Sequence, residues 1–266
     1  MGLEQTHTLS VFGVSSTRSV PHILEMIFFS LDYNSFKTCK NVNKTWSTLL
    51  STALYQKRLQ ELLDEKKENE EKLYGASEEG NTEMVRKLVN YLRVDVNVVD
   101  EQKSWHQSTP LLAAAREGHK EVVNILMDAG ALVNKADEYE ISPLHLAASY
   151  GHIDIVELFL SSGAKIDRKT NSGLTPLHLA TRKGNTEVCK LLLDGGARID
   201  KTDNLGNTPL MYATYVAELA VTKLLLERGA DPNKGNSMGR SPLEEARLRE
   251  YKDVVNVLLD GGAEPN

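Results

Sequence analysis

The sequence of 266 residues predicts an all-α solenoid, in which pairs of helices stack along one axis. A Thr-Pro or Ser-Pro pair recurs every 33 residues, beginning at Thr109, Ser142, Thr175, Thr208 and Ser241. An alanine column (Ala114, Ala147, Ala180, Ala213, Ala246) and a glycine column (Gly130, Gly163, Gly196, Gly229, Gly262) keep the same period. A period held this long without a slip indicates a stacked array, because one such unit cannot bury its own apolar face.

Each element of the unit at residues 141–173 has a physical reason. Ser142 is expected to cap a short first helix, with Pro at the first helical position, where its missing N–H costs nothing. Residues 155–160 predict a second helix with a broad apolar stripe. Gly163 then fits a left-handed C-terminal cap, and residues 164–174 predict a turn-rich loop that returns to the next Thr-Pro.

The segment SPLHLAASYGHIDIVELFLSSGA, which starts at Ser142, resembles the ankyrin repeat. The resemblance covers about three-quarters of the chain and implies hairpin loops between the helix pairs. It places an ankyrin-repeat domain at 73–266, with repeats at 73–107, 108–140, 141–173, 174–206, 207–239 and 240–266. Asn266 closes the sixth repeat, so we expect no further C-terminal domain.

The composition predicts an intracellular binding protein. Residues 1–60 carry a net charge of +3 and residues 61–266 one of −9, so an acidic array argues against a nucleic-acid partner. No signal peptide or long apolar run is present, so we expect a cytoplasmic or nuclear location and no membrane partner. Cys39 and Cys189 fit free thiols. Residues 1–6 match a myristoylation pattern but lack a second anchor.

No pattern of catalytic or metal-binding residues is found, so the sequence predicts a non-enzymatic protein without cofactor or metal. His145 and His178 occupy a column that also holds Leu112, Met211 and Glu244, which a catalytic or metal site would not tolerate. The resemblance to ankyrin repeats implies local backbone hydrogen bonds for these two histidines.

The N-terminal residues predict a second module. Residues 1–17 predict a disordered leader, and residues 18–56 predict three short helices, of which the first begins at Pro21. An apolar face on that helix is formed by Ile23, Leu24, Ile27, Phe28 and Leu31. Three short helices make a core too small to hold well alone, which favours a docked module.

Residues 20–46 resemble an F-box. Val20-Pro21 stands at the opening Leu-Pro of that family, Asp32 at its Asp, and Val42-Asn43-Lys44-Thr45-Trp46 at its Val-Cys-Lys-x-Trp. Val20, His22 and Asn43 depart from the family residues but leave the apolar pattern whole. The resemblance implies docking to the Skp-type adaptor of a cullin–RING ubiquitin ligase. The residues that it assigns to the adaptor are Val20, Pro21, Ile23, Leu24, Ile27, Phe28, Leu31 and Trp46.

An F-box of this kind implies that the array recruits a substrate protein. The alternative is an ankyrin scaffold or inhibitor whose N-terminal helices only cap the open face of the first repeat. Between the two modules, residues 57–72 carry eleven charges in sixteen positions. Because Leu59, Leu62, Leu63 and Leu73 keep one side apolar, we expect a continuous helix running into the first repeat. A flexible charged linker is the alternative.

Substrate choice is expected where the repeats differ from one another. In the family that the chain resembles, those positions are the hairpin tips (Trp105, Tyr139, Leu174, Leu205, Met238) and the solvent side of the first helices (Arg116, Tyr150, Arg182, Lys183, Tyr215). Exposed Trp, Tyr and Arg are residue types that anchor interfaces. The residues predicted to bind substrate protein are therefore Trp105, Tyr139, Tyr150, Arg182 and Tyr215, with Lys183 beside Arg182. Tyr150, Arg182 and Tyr215 should form one ridge. An ordinary surface side chain is the alternative for each.

Overall fold

The computed structural model describes residues 53–99 and 108–265, and within these ranges it contains helices and turns but no strand. The helices are α1 Ala53–Glu78, α2 Thr82–Asn90, α3 Pro110–Glu117, α4 Lys120–Asp128, α5 Pro143–Tyr150, α6 Ile153–Ser161, α7 Pro176–Arg182, α8 Thr186–Asp194, α9 Pro209–Tyr215, α10 Leu219–Glu227, α11 Pro242–Leu248 and α12 Lys252–Asp260. The chain divides into two units between Glu68 and Asn69, within α1. The predicted leader and nearly all of the F-box-like module lie outside the described residues.

The predicted helix pairs are confirmed from repeat 2 onward. Every first helix follows an extended N-cap residue, as at Thr109, whose ψ is 161°, and has Pro in its first turn. The Thr109 hydroxyl accepts a hydrogen bond from the Leu112 N–H at 3.3 Å. The Thr/Ser-Pro signature therefore sets where each repeat begins.

The core runs along the whole array. All five members of the alanine column have no exposed surface, because first helices of neighbouring repeats pack closely there. The second helices contribute a matching column with no exposed surface: Leu126, Phe159, Leu192, Leu225 and Leu258. Each repeat thus buries its apolar side against the next one, as the period predicts.

Glycine is favoured where one repeat meets the next, because the backbone there has a positive φ. Gly118 has a φ of +84°, and a Cβ there would lie 2.4 Å from the Cε1 atom of His152 in the following repeat. In repeats 5 and 6 the same column holds Ala217 and Glu250, which keep the left-handed conformation at φ 55° and 59°. Side chains are disfavoured in that region, so these two turns are strained.

Hydrogen bonds at the base of the hairpins join successive repeats. The Asn134 amide accepts from the Lys165 N–H at 2.8 Å and donates to the Gly163 carbonyl at 3.1 Å. The side chain of the residue that follows such an Asn or Asp donates to a backbone carbonyl of the preceding repeat. Lys201, which follows Asp200, donates in this way to the Asp167 carbonyl at 3.1 Å. We call each such set of bonds a seam. The first members of these sets are Asn97, Asn134, Asp167, Asp200 and Asn233.

The connector is helical, as predicted. Helix α1 includes all of residues 57–72 and continues to Glu78 in the first repeat. Charged and polar side chains along it pair locally, as Arg58 does with Glu61 at 3.2 Å. Within the second unit, Leu73 and Tyr74 are buried, and the Ser77 hydroxyl donates to the Leu73 carbonyl at 2.7 Å. The apolar end of α1 is therefore part of the core of the array.

Candidate protein-binding surface

The residues assigned to substrate binding lie in different settings. Trp105 lies outside the described residues, and so do the proposed adaptor-binding residues from Val20 to Trp46. The described members are Tyr139, Tyr150, Arg182, Lys183 and Tyr215. Three of them line one cavity, and Tyr215 belongs to a hydrogen-bonded network further along the array.

An open cavity of about 460 Å³ extends over repeats 2–4. It lies between the first helices α3, α5 and α7 and the hairpin loops. Its lining residues are Ser108, Leu112, Arg116, Asp137, Tyr139, Ile141, Leu146, Ser149, Tyr150, Thr170, Asn171, Ser172, Leu174, Leu179 and Arg182. We call this surface the central groove. It brings Tyr139, at a hairpin tip, together with Tyr150 and Arg182 at the ends of two helices.

Aliphatic side chains form much of the central groove. Leu146 and Leu179 occupy equivalent positions in α5 and α7, and Ile141 and Leu174 stand just before the two helices. Leu146 and Leu179 are not among the residues predicted from the sequence. Their column also holds Ala113, Tyr212 and Glu245. This variability indicates a surface position, because a column confined to the core would keep one residue class.

The two tyrosines of the central groove are exposed to solvent. Tyr150 is 58% exposed and Tyr139 is 43% exposed. The Tyr150 ring stacks on His152 at 6.3 Å between ring centroids, and His152 Nε2 donates to the Arg116 carbonyl at 2.8 Å. The Tyr139 backbone is fixed by the Asp137 carboxylate, which accepts from the N–H groups of Tyr139 and Ile141. The Tyr150 ring and the Tyr139 backbone are thus held in place while both rings stay accessible.

The two arginines of the central groove differ in their partners. Arg116 forms ion pairs of 2.6 Å with both Glu78 and Glu117, so its charge is already compensated. The Arg182 side chain is exposed, and among the described residues it has no hydrogen-bond or ion-pair partner. Lys183, next to it, is also exposed and also has none among them. One end of the central groove therefore carries available positive charge.

Repeat 5 places Tyr212 and Tyr215 where the central groove has Leu179 and Arg182. The Tyr212 hydroxyl donates to the buried Asp203 carboxylate at 2.8 Å, and the Tyr215 hydroxyl donates to the Asn207 side chain at 2.9 Å. The two rings meet edge to face at 5.8 Å. Burial alone would raise the pKa of Asp203, but the hydrogen bonds from Tyr212 and Asn207 lower it. We call this set the terminal network.

The terminal network extends into the last repeat. Arg249 lies over the Tyr215 ring at 5.1 Å from the centroid, and its Nε donates to the buried Glu245 carboxylate at 2.7 Å. The Asn236 amide donates to Asn207 at 3.1 Å. Tyr215 is consequently half-buried and engaged with its own array. It does not line the central groove, which Tyr150 and Arg182 do.

The buried histidines of the array have structural partners. His145 Nδ1 accepts from the Ser142 N–H at 3.2 Å and its Nε2 donates to the Leu174 carbonyl at 3.1 Å; His178 is held in the same way. These bonds confirm the predicted backbone role. Burial lowers the pKa of each of these histidines to about 4 and raises the pKa of the Cys189 thiol to about 11.

The described part of the chain holds neither a metal-binding cluster nor a helix suited to a membrane. Residues 53–99 and 108–265 contain no group of His, Cys, Asp or Glu side chains placed to hold a metal ion. In those same ranges, no helix is long and apolar enough to cross a lipid bilayer.

Comparison with known families gives one match. The family model "Ankyrin repeats (3 copies)" matches residues 24–137, 73–170, 144–236 and 204–266, which together cover most of the chain. The first of these matches reaches upstream of residue 73, into the segment that resembles an F-box. No curated protein matches the chain. Proteins built from these repeats are generally non-enzymatic scaffolds for protein interactions.

Proposed function

The chain belongs to the ankyrin-repeat family, and we propose that its array recruits a substrate protein to a ubiquitin ligase on which the N-terminal segment docks. Ankyrin repeats bind protein partners, so the array is a protein-binding domain. The proposed role in a ubiquitin ligase requires two binding sites on one chain, one for the ligase adaptor and one for the substrate protein. A ligase subunit of this type does no chemistry itself, because it only raises the effective concentration of the substrate near the transfer site.

The central groove is the observation that carries the binding half of this proposal. It combines exposed tyrosines, an aliphatic floor and an arginine without a described partner, and protein interfaces are enriched in Tyr and Arg. The terminal network offers less, because its aromatic hydroxyls are engaged within the array. We therefore assign substrate recruitment to repeats 2–4, through Tyr139, Tyr150 and Arg182, with Lys183 at the edge.

The adaptor half depends on the sequence pattern of residues 20–46. A Skp-type adaptor would bind the apolar face that begins with Val20 and Pro21 and includes Leu24 and Ile27. Trp46 would complete the same face. Apolar anchors at the centre of an interface typically contribute about 2 kcal/mol or more each when truncated.

A binding assay with purified Skp-type adaptor tests this half. We expect the wild-type chain to bind and the double variant Pro21→Ser, Leu24→Asp to lose binding, while thermal unfolding of the array stays unchanged. The matched control Tyr150→Ala, Arg182→Ala changes the other site and should bind the adaptor like the wild type. Equal binding by the wild type and the Pro21, Leu24 variant, or no binding by either, would refute the adaptor role.

A second candidate function is favoured by the family match at residues 24–137. If the repeat pattern itself extends upstream of residue 73, residues 24–72 would act as an N-terminal cap on a plain ankyrin scaffold. Removing residues 1–52 distinguishes the two. A cap predicts that the truncated array unfolds at clearly lower urea concentration, whereas a docked adaptor module predicts an unchanged midpoint and lost adaptor binding.

A further inference from the structure

We infer that the partner contacts the central groove with an extended segment that carries one large apolar side chain and, within about three residues, an Asp or Glu that pairs with Arg182. This inference rests on the proposed binding role of the array. It adds the chemistry of the ligand, which the family alone does not give.

The apolar part follows from the floor of the groove. Leu179 is buried, whereas Leu146, Ile141 and Leu174 keep part of their surface accessible in the cavity that Tyr139 and Tyr150 also line. A polar side chain of the ligand would not bury this apolar surface well, whereas a Leu, Met or Phe side chain would remove it from water. The groove is partly open to solvent, so the side chain can enter while its backbone stays outside.

The acidic part follows from the charges at the groove. Arg182 and Lys183 have no compensating side chain among residues 53–99 and 108–265, whereas Arg116 is held by two glutamates. The one carboxylate of the lining, Asp137, accepts backbone N–H groups of its own hairpin. A carboxylate of the partner would therefore bind most strongly at Arg182, since arginine binds carboxylates through two parallel hydrogen bonds.

The spacing follows from the stacking of the repeats. Neighbouring first helices lie about 10 Å apart, and an extended chain in the polyproline II conformation rises about 3.1 Å per residue and returns its side chains to the same face at every third residue. One repeat therefore corresponds to about three residues of an extended ligand. An apolar side chain over Leu146 in repeat 3 places the acidic side chain about three residues away, at Arg182 in repeat 4.

A selection from a display library of random twelve-residue peptides tests this inference on the full-length protein. We expect enriched peptides to share a Leu, Met or Phe with Asp or Glu about three residues away. The variant Arg182→Glu should enrich Lys or Arg at the acidic position while keeping the apolar residue. The matched control Lys190→Glu reverses an exposed cation on a second helix of the same repeat and should select the wild-type peptides.

Anisotropy titrations of one selected peptide make the test quantitative. Arg182→Glu should weaken the acidic peptide by a factor of ten or more, and a peptide with Lys in place of the acid should regain that factor on the variant. Selection of the same peptides by the wild type and Arg182→Glu would overturn the inference, as would failure to enrich any peptide. Neither result affects binding of the Skp-type adaptor, so failure of the proposed adaptor role is measured separately by the adaptor binding assay.

Discussion

Repeats 2–4 and repeats 5–6 use the same backbone columns for different purposes. Where the central repeats have Leu179 and Arg182, repeat 5 has Tyr212 and Tyr215, whose hydroxyls are held by Asp203 and Asn207. The central side chains therefore keep surface accessible to a partner, and the terminal ones are satisfied by their own array. A column in a repeat protein fixes the backbone position of a side chain. Contacts with side chains from neighbouring columns decide whether that side chain is accessible to a partner protein.

A second difference concerns backbone strain. The central repeats have glycine at positions 118, 151 and 184, where φ is positive, whereas repeats 5 and 6 have Ala217 and Glu250. The terminal repeats thus combine a more extensive polar network with two strained turns. We expect the strain to dominate, so that the last two repeats exchange amide hydrogens first.

The largest effect is expected from acid, and it should fall on the central repeats. Burial lowers the pKa of His145 and of His178 from the ordinary 6.5 to about 4, so the unfolded chain takes up these protons first. Their contribution to stability is complete above about pH 6.5 and is lost as the pH falls towards 4, by roughly 3 kcal/mol for each histidine. The same column holds Met211 and Glu244 in repeats 5 and 6.

Hydrogen exchange at pH 7 and pH 4.5, with rates corrected for intrinsic exchange, measures this effect. Protection in repeats 3 and 4 should fall more than protection in repeats 5 and 6. The variant His145→Gln, His178→Gln should lose most of this extra acid sensitivity. Uniform loss of protection along the array, or an unchanged pH dependence in the double variant, would contradict the assignment.

A smaller effect is expected when the terminal network loses one hydroxyl. Tyr212→Phe removes a hydrogen bond of 2.8 Å to the buried Asp203 carboxylate and should lower the free energy of unfolding by about 2 kcal/mol. Tyr150→Phe is the matched control, because the exposed Tyr150 should tolerate the same change within about 0.5 kcal/mol. Urea unfolding followed by circular dichroism compares the two. Similar losses for both variants would show that the network adds no stability.

Relief of strain should give a gain of about 1 kcal/mol or less at each turn. Ala217→Gly and Glu250→Gly should slow hydrogen exchange in repeats 5 and 6, because glycine adopts positive φ without penalty. Gly184→Ala is the reverse test, since its Cβ would lie 2.9 Å from the Glu218 carboxylate carbon. Faster exchange in both glycine variants would mean that these turns are not the weak points.

The smallest effect on stability is expected at the central groove. Tyr150→Ala with Arg182→Ala should change the free energy of unfolding by no more than about 0.5 kcal/mol, because both side chains face solvent. Mass spectrometry of proteins captured from cells should nevertheless show lost partners. If partners are unchanged, or are lost only when Tyr139 is replaced, the first-helix residues are not the binding determinants.

The regular features of the array could be predicted because they depend on local physics. The N-cap at Thr109, the buried alanine column, the left-handed Gly163 and the continuous α1 each follow from neighbours within a few positions in sequence or from the period. These confirmed features lie in the array and in helix α1. The F-box-like segment stays a prediction, because residues 18–52 lie outside the described residues.

The candidate site could be predicted only in part, because it depends on contacts between hairpin and helix. Tyr139 and Tyr150 line one groove only after the loop folds back over α5. Tyr215 appears equivalent to Arg182 in sequence, but Asn207 and Arg249 engage it from outside its own helix. The period locates such side chains along the axis and gives no information on which neighbours their polar atoms reach.

The seams make the repeats interchangeable. Each seam uses an Asn or Asp of one hairpin and the backbone of the next, and an equivalent seam recurs one repeat further along. Excision or duplication of one whole 33-residue unit from the interior would bring together two surfaces that already fit. Lengthening the array then requires no redesign of its joints, so gene duplication can extend the binding face by one repeat at a time while leaving residues 1–72 untouched.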